Sequence, residues 1–509
     1  MNLYTTQDIN RIIAYNIRFN GIDMDDLLDR AGKAIVREIE RRWPQDTPVY
    51  IFAGPYENGA YAMATARHFF IKGRSVKVIL FNIQRDPAQE LCKRERERLK
   101  SVSFPNNDFT EIVTGYKPIS FEQGAIVVDG IFGSELNRNL EGGYTNIIKR
   151  LNSEKINIVS IDVPSGMSGD WNTHAVPNNI IKARLTIALQ FPHLAFFLPT
   201  MAGNIGEWVT VDIGIREGAF TGTQQKYVLF GKNEAAYQLG RRNPFSSKHD
   251  YGNGIIFAGS FGMLGAAVMA ARGALRSGIG KLTVSTPLCG FPVIQSTVPE
   301  ALYQYAESNE HFTRIATARR QKYDAVAIGP GIGTHEDTIS ALDNYLSTMP
   351  SPVILDADAL NCIAMRPTLL HKIPNMSVIT PHEKEFDRLF GEQPNADARL
   401  LKAIEVAKTY NLVIVLKGHY TAVVLYDGRI SFNSSGTPAL ATPGSGDVLT
   451  GIITSFMAQL KNPILAAMLG VYIHGVAGKI AGSTHGNYGV IASDIAEATG
   501  KAIQETLTQ

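Results

Sequence analysis

The segment that most constrains this chain is Ala441-Thr-Pro-Gly-Ser-Gly-Asp-Val-Leu-Thr-Gly451, a glycine-rich turn followed directly by apolar residues. Because Gly444 and Gly446 carry no side chain and the first amides of a helix lack intrahelical partners, such a turn can bind phosphate. The apolar residues that follow recur at helical spacing and predict a helix with one buried face: Val448, Leu449, Ile452, Ile453, Phe456, Met457 and Leu460.

Asp447 is the unexpected residue of this turn, because a carboxylate repels phosphate. Two explanations are open for an isolated Gly-x-Gly-Asp pattern. Asp447 either caps the helix or accepts a proton from the group that attacks or leaves the phosphate. The motifs elsewhere in the chain favour the catalytic explanation.

Composition narrows the class of function. The 509 residues are enough for two or three domains, and the formal net charge of +2 gives no reason to expect nucleic acid or anionic membranes as partners. Cys92, Cys289 and Cys362 lie far apart, which argues against disulfides or a zinc site and suits the cytoplasm. The N-terminus lacks the apolar segment of a signal peptide. Residues 464–481 are apolar but contain His474 and Lys479, so they predict a buried helix rather than a membrane span.

The chain as a whole predicts an α/β fold. Strand-like and helix-like segments alternate throughout, which is typical of doubly wound parallel sheets whose ligands bind at the carboxyl ends of the strands. The first half favours a Rossmann-like three-layer α/β/α domain. A short polar segment at 221–226 resembles a linker, and we therefore predict domains at residues 1–222 and 223–509.

Polar loops follow three predicted strands of the first half: Gly54–Gly59, Asp129–Arg138 and Asp162–Gly166. Each loop alone would suit an ordinary turn. Together they would place aspartates, an asparagine, a hydroxyl and several backbone amides around one ligand.

The second half repeats this arrangement. Its predicted strands are followed by Gly329–Gly333, Asp356–Leu360, Thr380–Glu383 and Lys417–Thr421, and the glycine turn at 444–446 comes last. A single Lys-Gly turn is weak evidence of a site, and a lone histidine such as His474 is usually structural. The order of these motifs is more specific.

Residues 227 to about 505 resemble the ribokinase-like superfamily in this order of motifs, and in particular its ADP/ATP-dependent NAD(P)H-hydrate dehydratase branch. The resemblance implies a ribokinase-like α/β fold, ADP or ATP as a co-substrate with Mg²⁺, and Asp447 as a catalytic residue. It places hydrate contacts at Ala266, Gly333, His382 and Asp447, and nucleotide contacts at Lys417, Gly418, His419, Tyr420, Thr421 and Gly446.

Residues 1 to about 220 resemble the NAD(P)H-hydrate epimerase family through Asp23–Gly32, Val128–Gly133 and Ile161–Gly166. The resemblance implies K⁺ held by Asn58, Asp129 and Ser165, and Asp162 as a candidate acid–base residue. It places hydrate contacts at Asn58, at Asp162, and in the Gly133–Asn139 loop at Gly133, Ser134 and Arg138.

The first half departs from that family at two places. Where the family has Asn-Asn-Gly-Gly-Asp-Gly, this chain has Glu57-Asn-Gly-Ala-Tyr-Ala62, so an acidic side chain and two glycines are missing and Tyr61 is bulky. A Pro-Lys pair is replaced by Pro192-His193, which is expected to weaken the stabilisation of an anion. The first half is therefore either an epimerase or a degenerate binding or scaffolding domain.

The two resemblances together imply a bifunctional repair enzyme, both lyase and isomerase, for the hydrates NADHX and NADPHX. The second half would dehydrate the S hydrate at the expense of ADP, and the first would interconvert R and S. We also expect a cytoplasmic homo-oligomer. The alternative is a ribokinase-like kinase of a vitamin or sugar with an N-terminal ligand-binding or scaffolding domain, which would release a phosphorylated product.

Overall fold

A computed structural model describes residues 1–83, 89–102, 109–115, 119–136, 138–220, 225–317 and 322–508. The chain divides into two compact units: Leu3–Gln225, here the N-terminal unit, and Met1–Asn2 with Lys226–Gln509, here the C-terminal unit. The predicted boundary at 222/223 and most of the linker around it lie outside the described residues.

The strands and helices are numbered in chain order. The strands are β1 (Asn2–Leu3), β2 (Val49–Ala53), β3 (Lys77–Phe81), β4 (Phe109–Ile112), β5 (Ile126–Gly130), β6 (Asn157–Ile161), β7 (Leu185–Leu189), β8 (Glu207–Val211), β9 (Tyr227–Phe230), β10 (Asn253–Phe257), β11 (Lys281–Thr286), β12 (Leu302–Tyr305), β13 (Ala325–Ile328), β14 (Ile354–Leu355), β15 (Val378–Ile379), β16 (Val413–Leu416), β17 (Ala422–Val424) and β18 (Ile430–Asn433). The helices are α1 (Thr6–Asn20), α2 (Met24–Glu40), α3 (Glu57–Ile71), α4 (Glu90–Lys100), α5 (Gly143–Ser153), α6 (Ala202–Ile205), α7 (Lys232–Leu239), α8 (Leu264–Arg276), α9 (Phe291–Thr297), α10 (Glu336–Thr348), α11 (Asp358–Met365), α12 (Glu383–Phe390), α13 (Ala396–Tyr410), α14 (Ser445–Leu460), α15 (Pro463–His485) and α16 (Ala492–Leu507).

The N-terminal unit contains a parallel sheet in the order β4-β3-β2-β5-β6-β7-β8. Alternate residues of β2 enter two different cores: Ile51 packs with α2 and α3, whereas Phe52 packs with α5. This alternation follows from the period of two of a strand and requires apolar residues on both faces. The predicted three-layer doubly wound fold is confirmed, and the strand order reverses between β2 and β5, where ligands bind in such folds.

The C-terminal unit is built on a larger mixed sheet, in the order β1-β9-β18-β17-β16-β15-β14-β13-β10-β11-β12. The segment from β16 to β12 is parallel, and β17 pairs antiparallel with both β16 and β18. The predicted α/β class is confirmed here too.

Helix α14 packs closely against α8 in the centre of this unit. A Cβ atom at Gly451 would lie 1.9 Å from the Ala270 carbonyl oxygen, and one at Gly273 would lie 2.4 Å from that of Val448. Glycine at these positions lets the two backbones touch, which fixes the start of α14 relative to the sheet. Ala267, on the same helix α8, is also fully buried.

Helix α15 is long and apolar enough to cross a membrane by length and composition. It packs against α14 and α16, and 67% of its most apolar window is buried. The prediction of a helix buried between neighbours is confirmed.

Candidate active sites

The glycine turn of the C-terminal unit forms the start of α14. Gly444 is the N-cap, with a φ of +83° that favours glycine, and no side chain caps the helix there. Asp447 is the third helical residue and makes no capping bond, so the capping explanation is wrong. The Ser445 amide donates to the Thr442 carbonyl oxygen at 3.3 Å, so among the described residues the Gly446 and Asp447 amides are the ones that could bind an anion.

A buried ion pair faces this turn. Lys417 donates to Asp356 Oδ1 at 2.9 Å, and Thr450 Oγ1 donates to Asp356 Oδ2 at 2.6 Å. Asp356 is 1% exposed, so both of its oxygens are occupied away from solvent. The pKa of Lys417 is raised: burial opposes this, but the negative charges of Asp356 and Glu385 outweigh it. A Cβ atom at Gly446 would lie 3.4 Å from Lys417 Nζ, so a fixed cation lies beside the bare amides.

Asp447 has the electrostatics of a proton acceptor near neutral pH. Burial and the neighbouring carboxylate of Asp356 raise its pKa to about 7, although Lys417 lowers it. A base is most effective when its pKa lies near the working pH. The arrangement thus combines an anion-binding helix start, a cation and a tuned carboxylate.

A cleft of about 740 Å³ opens beside this turn, which is large enough for a nucleotide-sized ligand. One wall is apolar and includes Leu440 and Val471. His474 is buried behind the turn at 3.1 Å from Ser445 Oγ, and burial lowers its pKa to about 4, so it is neutral and structural. The cleft brings together these predicted residues: His382, Lys417, Gly418, His419, Thr421 and Gly446.

Two of the predicted nucleotide contacts, Tyr420 and Thr421, lie in one turn, but of the two Thr421 lines the cleft. The Thr421 hydroxyl donates to the Gly418 carbonyl oxygen at 2.8 Å, and this bond closes the turn after β16. Tyr420 is in the same turn but does not line the cleft.

The other predicted hydrate contacts are Ala266, Gly333 and His382. Gly331 and Gly333 have φ of +63° and +72°, and the Gly333 amide donates to Asp358 Oδ2 at 2.9 Å. A Cβ atom at Gly331 would lie 3.0 Å from that of Ala266, so this turn packs on the start of α8. Neither Ala266 nor Gly333 lines the cleft that contains Lys417. His382 does, and its Nδ1 caps α12 by accepting from the Glu385 amide.

In the N-terminal unit, Asn58, Asp129 and Ser165 meet at the ends of β2, β5 and β6. Both oxygens of the fully buried Asp129 accept hydrogen bonds, from the Ser160 and Ser165 hydroxyls and from backbone amides. Asn58 Nδ2 donates to the carbonyl oxygens of Phe132 and Ile161, whereas the buried Asn58 Oδ1 has no partner among the residues that the structure describes. A buried amide oxygen without a donor suits a hard monovalent cation.

Asp162 is held in a strained and strongly polar position. Its φ of +67° is unusual for a residue with a side chain. His193 Nε2 lies 2.5 Å from Asp162 Oδ1, and the Ser134 amide donates to Asp162 Oδ2 at 2.8 Å. Burial alone would raise the pKa of Asp162, but His193 and Ser134 lower it to about 2.

The same contact raises the pKa of His193, against the effect of its own burial. Asp162 thus favours the protonated form of His193 more than water would. The weaker stabilisation of an anion expected from the replacement of lysine stays a prediction.

Tyr61 and two glutamates fill the space in front of Asp162. Only a cavity of about 40 Å³ remains there, enough for on the order of one water molecule. Tyr61 is 5% exposed, and its hydroxyl donates to Glu57 at 3.0 Å. Burial and the charges of Glu57 and Asp162 raise the pKa of Glu135 to about 7.

The predicted contacts of this unit are only partly gathered. Asn58, Gly133, Ser134 and Asp162 line the small cavity, whereas Arg138 is exposed and does not. An open groove of about 560 Å³ shares Ser134 and Glu135 with the cavity.

Sequence analysis missed several residues of both sites. The sequence shows Asp356 and Asp358 as a pair of carboxylates after a predicted strand. Their contacts with Lys417 and Gly333, respectively, could not be predicted, because they depend on the fold. Glu135 carries no motif of its own, and the charges of Glu57 and Asp162 that help raise its pKa come near it only in the fold.

Comparisons with known proteins agree with the division of the chain into two units. A family model described as NAD(P)H-hydrate dehydratase matches residues 254–501, and one described as YjeF-related protein N-terminus matches residues 24–195. The bifunctional NAD(P)H-hydrate repair enzyme Nnr of Thermosynechococcus vestitus is 31% identical, with 90% of this chain and 89% of that protein covered. Its counterpart from Moorella thermoacetica is 30% identical, covering 92% and 90%. The crystal structure of an ADP/ATP-dependent NAD(P)H-hydrate dehydratase from Bacillus subtilis, co-crystallized with ATP/Mg²⁺, is 32% identical over 55% of this chain and 98% of that chain, with a TM-score of 0.48.

Proposed function

The chain belongs to the family of bifunctional NAD(P)H-hydrate repair enzymes, and from this premise we propose that its C-terminal unit returns the S hydrates NADHX and NADPHX to NADH and NADPH at the expense of ADP or ATP. The observation that carries the proposal is Asp447, whose pKa is raised to about 7 beside a bare helix start and a fixed lysine. These groups match the needs of phosphoryl transfer to a hydroxyl.

The chemistry makes a poor leaving group into a good one. The hydroxyl oxygen at C6 of the hydrate attacks the terminal phosphorus of ADP, and AMP leaves while the hydroxyl proton moves to Asp447. The C6–O bond then breaks with help from the ring nitrogen. Phosphate leaves, and loss of a C5 proton restores the ring double bond.

Each residue predicted for the C-terminal site has a part in this proposal. The Gly444–Gly446 amides and Lys417 stabilise charge on the moving phosphoryl group, and the 417–421 turn with Gly446 binds the nucleotide. Ala266, Gly333 and His382 orient the hydrate. Mg²⁺ fits a site in which Asp356, Asp358 and Glu385 add negative charge around Asp447, and when bound it offsets charge on the phosphates.

For the N-terminal unit we propose slow interconversion of the R and S hydrates, with Asp162 and His193 as the acid–base pair. Asn58, Asp129 and Ser165 would hold K⁺, which supplies a fixed positive charge; the unpaired Asn58 oxygen supports this assignment. Gly133, Ser134 and Arg138 would contact the hydrate. Entry requires movement of Tyr61, because the present cavity is smaller than a nicotinamide ring. The homo-oligomer and the cytoplasmic location stay predictions.

The dehydratase proposal is tested with hydrated NADH, ADP and the full chain. We expect recovery of the reduced nicotinamide absorbance, with one AMP and one phosphate released per NADH formed, and loss of that recovery in Asp447→Ala. Release of a phosphorylated product without NADH would instead support the kinase alternative. Unchanged recovery in Asp447→Ala would exclude Asp447 as the base.

A further inference from the structure

Three side chains converge at the first turn of α10, apart from the residues assigned above. His311 Nε2 lies 3.1 Å from Asp337 Oδ2, and His335 Nδ1 lies 3.5 Å from the same oxygen. The two imidazole rings stack with centroids 4.0 Å apart. One donor atom of each side chain lies within 4.8 Å of the other two.

These separations suit a metal ion. Donor atoms about 2.0–2.2 Å from zinc in a tetrahedron lie about 3.4 Å from each other. Two imidazoles and one carboxylate form a ligand set that favours zinc and related first-row ions over Mg²⁺. The donors therefore need only small rotations to bind one ion.

The backbone holds the His311 segment in place on both sides. The Glu310 carbonyl oxygen accepts from the Phe261 amide at 2.8 Å, and the Phe312 carbonyl oxygen accepts from the Thr338 hydroxyl at 3.2 Å. Phe312 is fully buried. His311 is thus fixed next to α10 before any ion binds, which reduces the entropy that binding would cost.

His335 already has a structural task, because its Nδ1 accepts from the Asp337 amide and caps α10. An ion bound at Nδ1 would displace that bond, so affinity is expected to be lower than at a purely structural zinc site. The exposed fractions of the His311, His335 and Asp337 side chains are 31%, 55% and 56%, which leaves room for water as a further ligand.

We propose that His311, His335 and Asp337 form a binding site for a divalent transition-metal ion of the zinc class. A bound ion would connect the His311 segment to the chain just after Gly333.

The test uses the full chain and Zn²⁺ alone, without nucleotide, in isothermal titration calorimetry. We expect one Zn²⁺ per chain that Mg²⁺ does not displace. His311→Gln, His335→Asn and Asp337→Asn should each weaken binding about tenfold or more. His335→Asn keeps a good N-cap residue, so α10 should stay intact, as a thermal melt would check.

His485→Gln is the matched control, because His485 is another partly exposed histidine, 3.8 Å from Asp494. Its Zn²⁺ affinity should equal that of the wild type. Zn²⁺ should also slow amide exchange in residues 331–338 of the wild type but not of Asp337→Asn. The proposal is overturned if Zn²⁺ does not bind, or if the three variants bind it as tightly as the wild type does.

Discussion

The sites of the two units differ mainly in how open they are. In the C-terminal unit, Lys417 and Gly446 line a cleft of about 740 Å³. In the N-terminal unit, the space in front of Asp162 is about 40 Å³, and Tyr61 occupies the position where the family's motif differs. Both sites nevertheless have a carboxylate whose pKa is lowered by a basic side chain, Asp447 by Lys417 and Asp162 by His193.

The comparison shows that the charged groups and the access route of a site change independently. His193 places a basic side chain next to Asp162, and this contact raises the pKa of His193, so the N-terminal site keeps a basic group despite the loss of lysine. Tyr61 instead reduces the volume of the cavity in front of Asp162. A change in a neighbouring charge cannot restore volume that a buried aromatic ring fills. We therefore expect a fast C-terminal activity and a slow N-terminal one.

The largest effect is expected from Lys417→Ala. Removal of the cation beside the bare amides should lower kcat/KM for ADP about 100-fold, because hydrogen bonds to charged groups are the strong ones. Steady-state kinetics at varied ADP would measure it. Lys461→Ala removes a lysine at the other end of α14 and should leave kcat/KM for ADP unchanged. A loss of similar size in Lys461→Ala would show that the total positive charge near α14, rather than Lys417 itself, determines kcat/KM.

A second prediction concerns pH. The carboxylate of Asp447 must be ionised to accept a proton, so dehydratase kcat/KM should fall about tenfold from about pH 8 to about pH 6, as expected for a pKa of about 7. A pH profile of the wild type would measure this. A profile that is flat until about pH 5 would contradict the raised pKa.

The third prediction addresses access to the N-terminal site. Tyr61→Ala removes the ring that fills the cavity, so interconversion of R and S hydrates should become about tenfold faster, because the wild-type site is open only when Tyr61 moves aside. Tyr61→Phe keeps the ring and removes only the hydroxyl bond to Glu57, and should stay at the wild-type rate. Equal rates in all three proteins would mean that Tyr61 does not limit entry.

The smallest effect is expected for Thr450→Val. This change leaves buried Asp356 Oδ2 without its donor, which should lower the free energy of unfolding by about 1–3 kcal/mol. Thr454→Val is the control, since Thr454 donates only to a backbone carbonyl of its own helix, and its effect should be smaller. Denaturant unfolding of both variants would decide; a larger loss at Thr454 would contradict the assigned role of Thr450.

Local patterns predicted much of this molecule. The period of apolar residues after Gly446 identified α14, and strand-end loops identified the polar residues of both sites. Pairings between distant segments could not be predicted, because they depend on the order of strands in the sheet. Examples are Asp356 as the anchor of Lys417 and the inclusion of Met1 and Asn2 in the C-terminal unit. The raised pKa of Asp447 likewise depends on burial that only the fold reveals.

The most direct test gives the wild type a mixture of R and S hydrates of NADH together with ADP and follows the absorbance of NADH. We predict two phases: a fast one with the amplitude of the S hydrate, and a slow one that Tyr61→Ala accelerates and Asp162→Asn slows to the spontaneous rate. The absence of a fast phase, or a single fast phase that consumes both hydrates, would contradict an open C-terminal site and a closed N-terminal one.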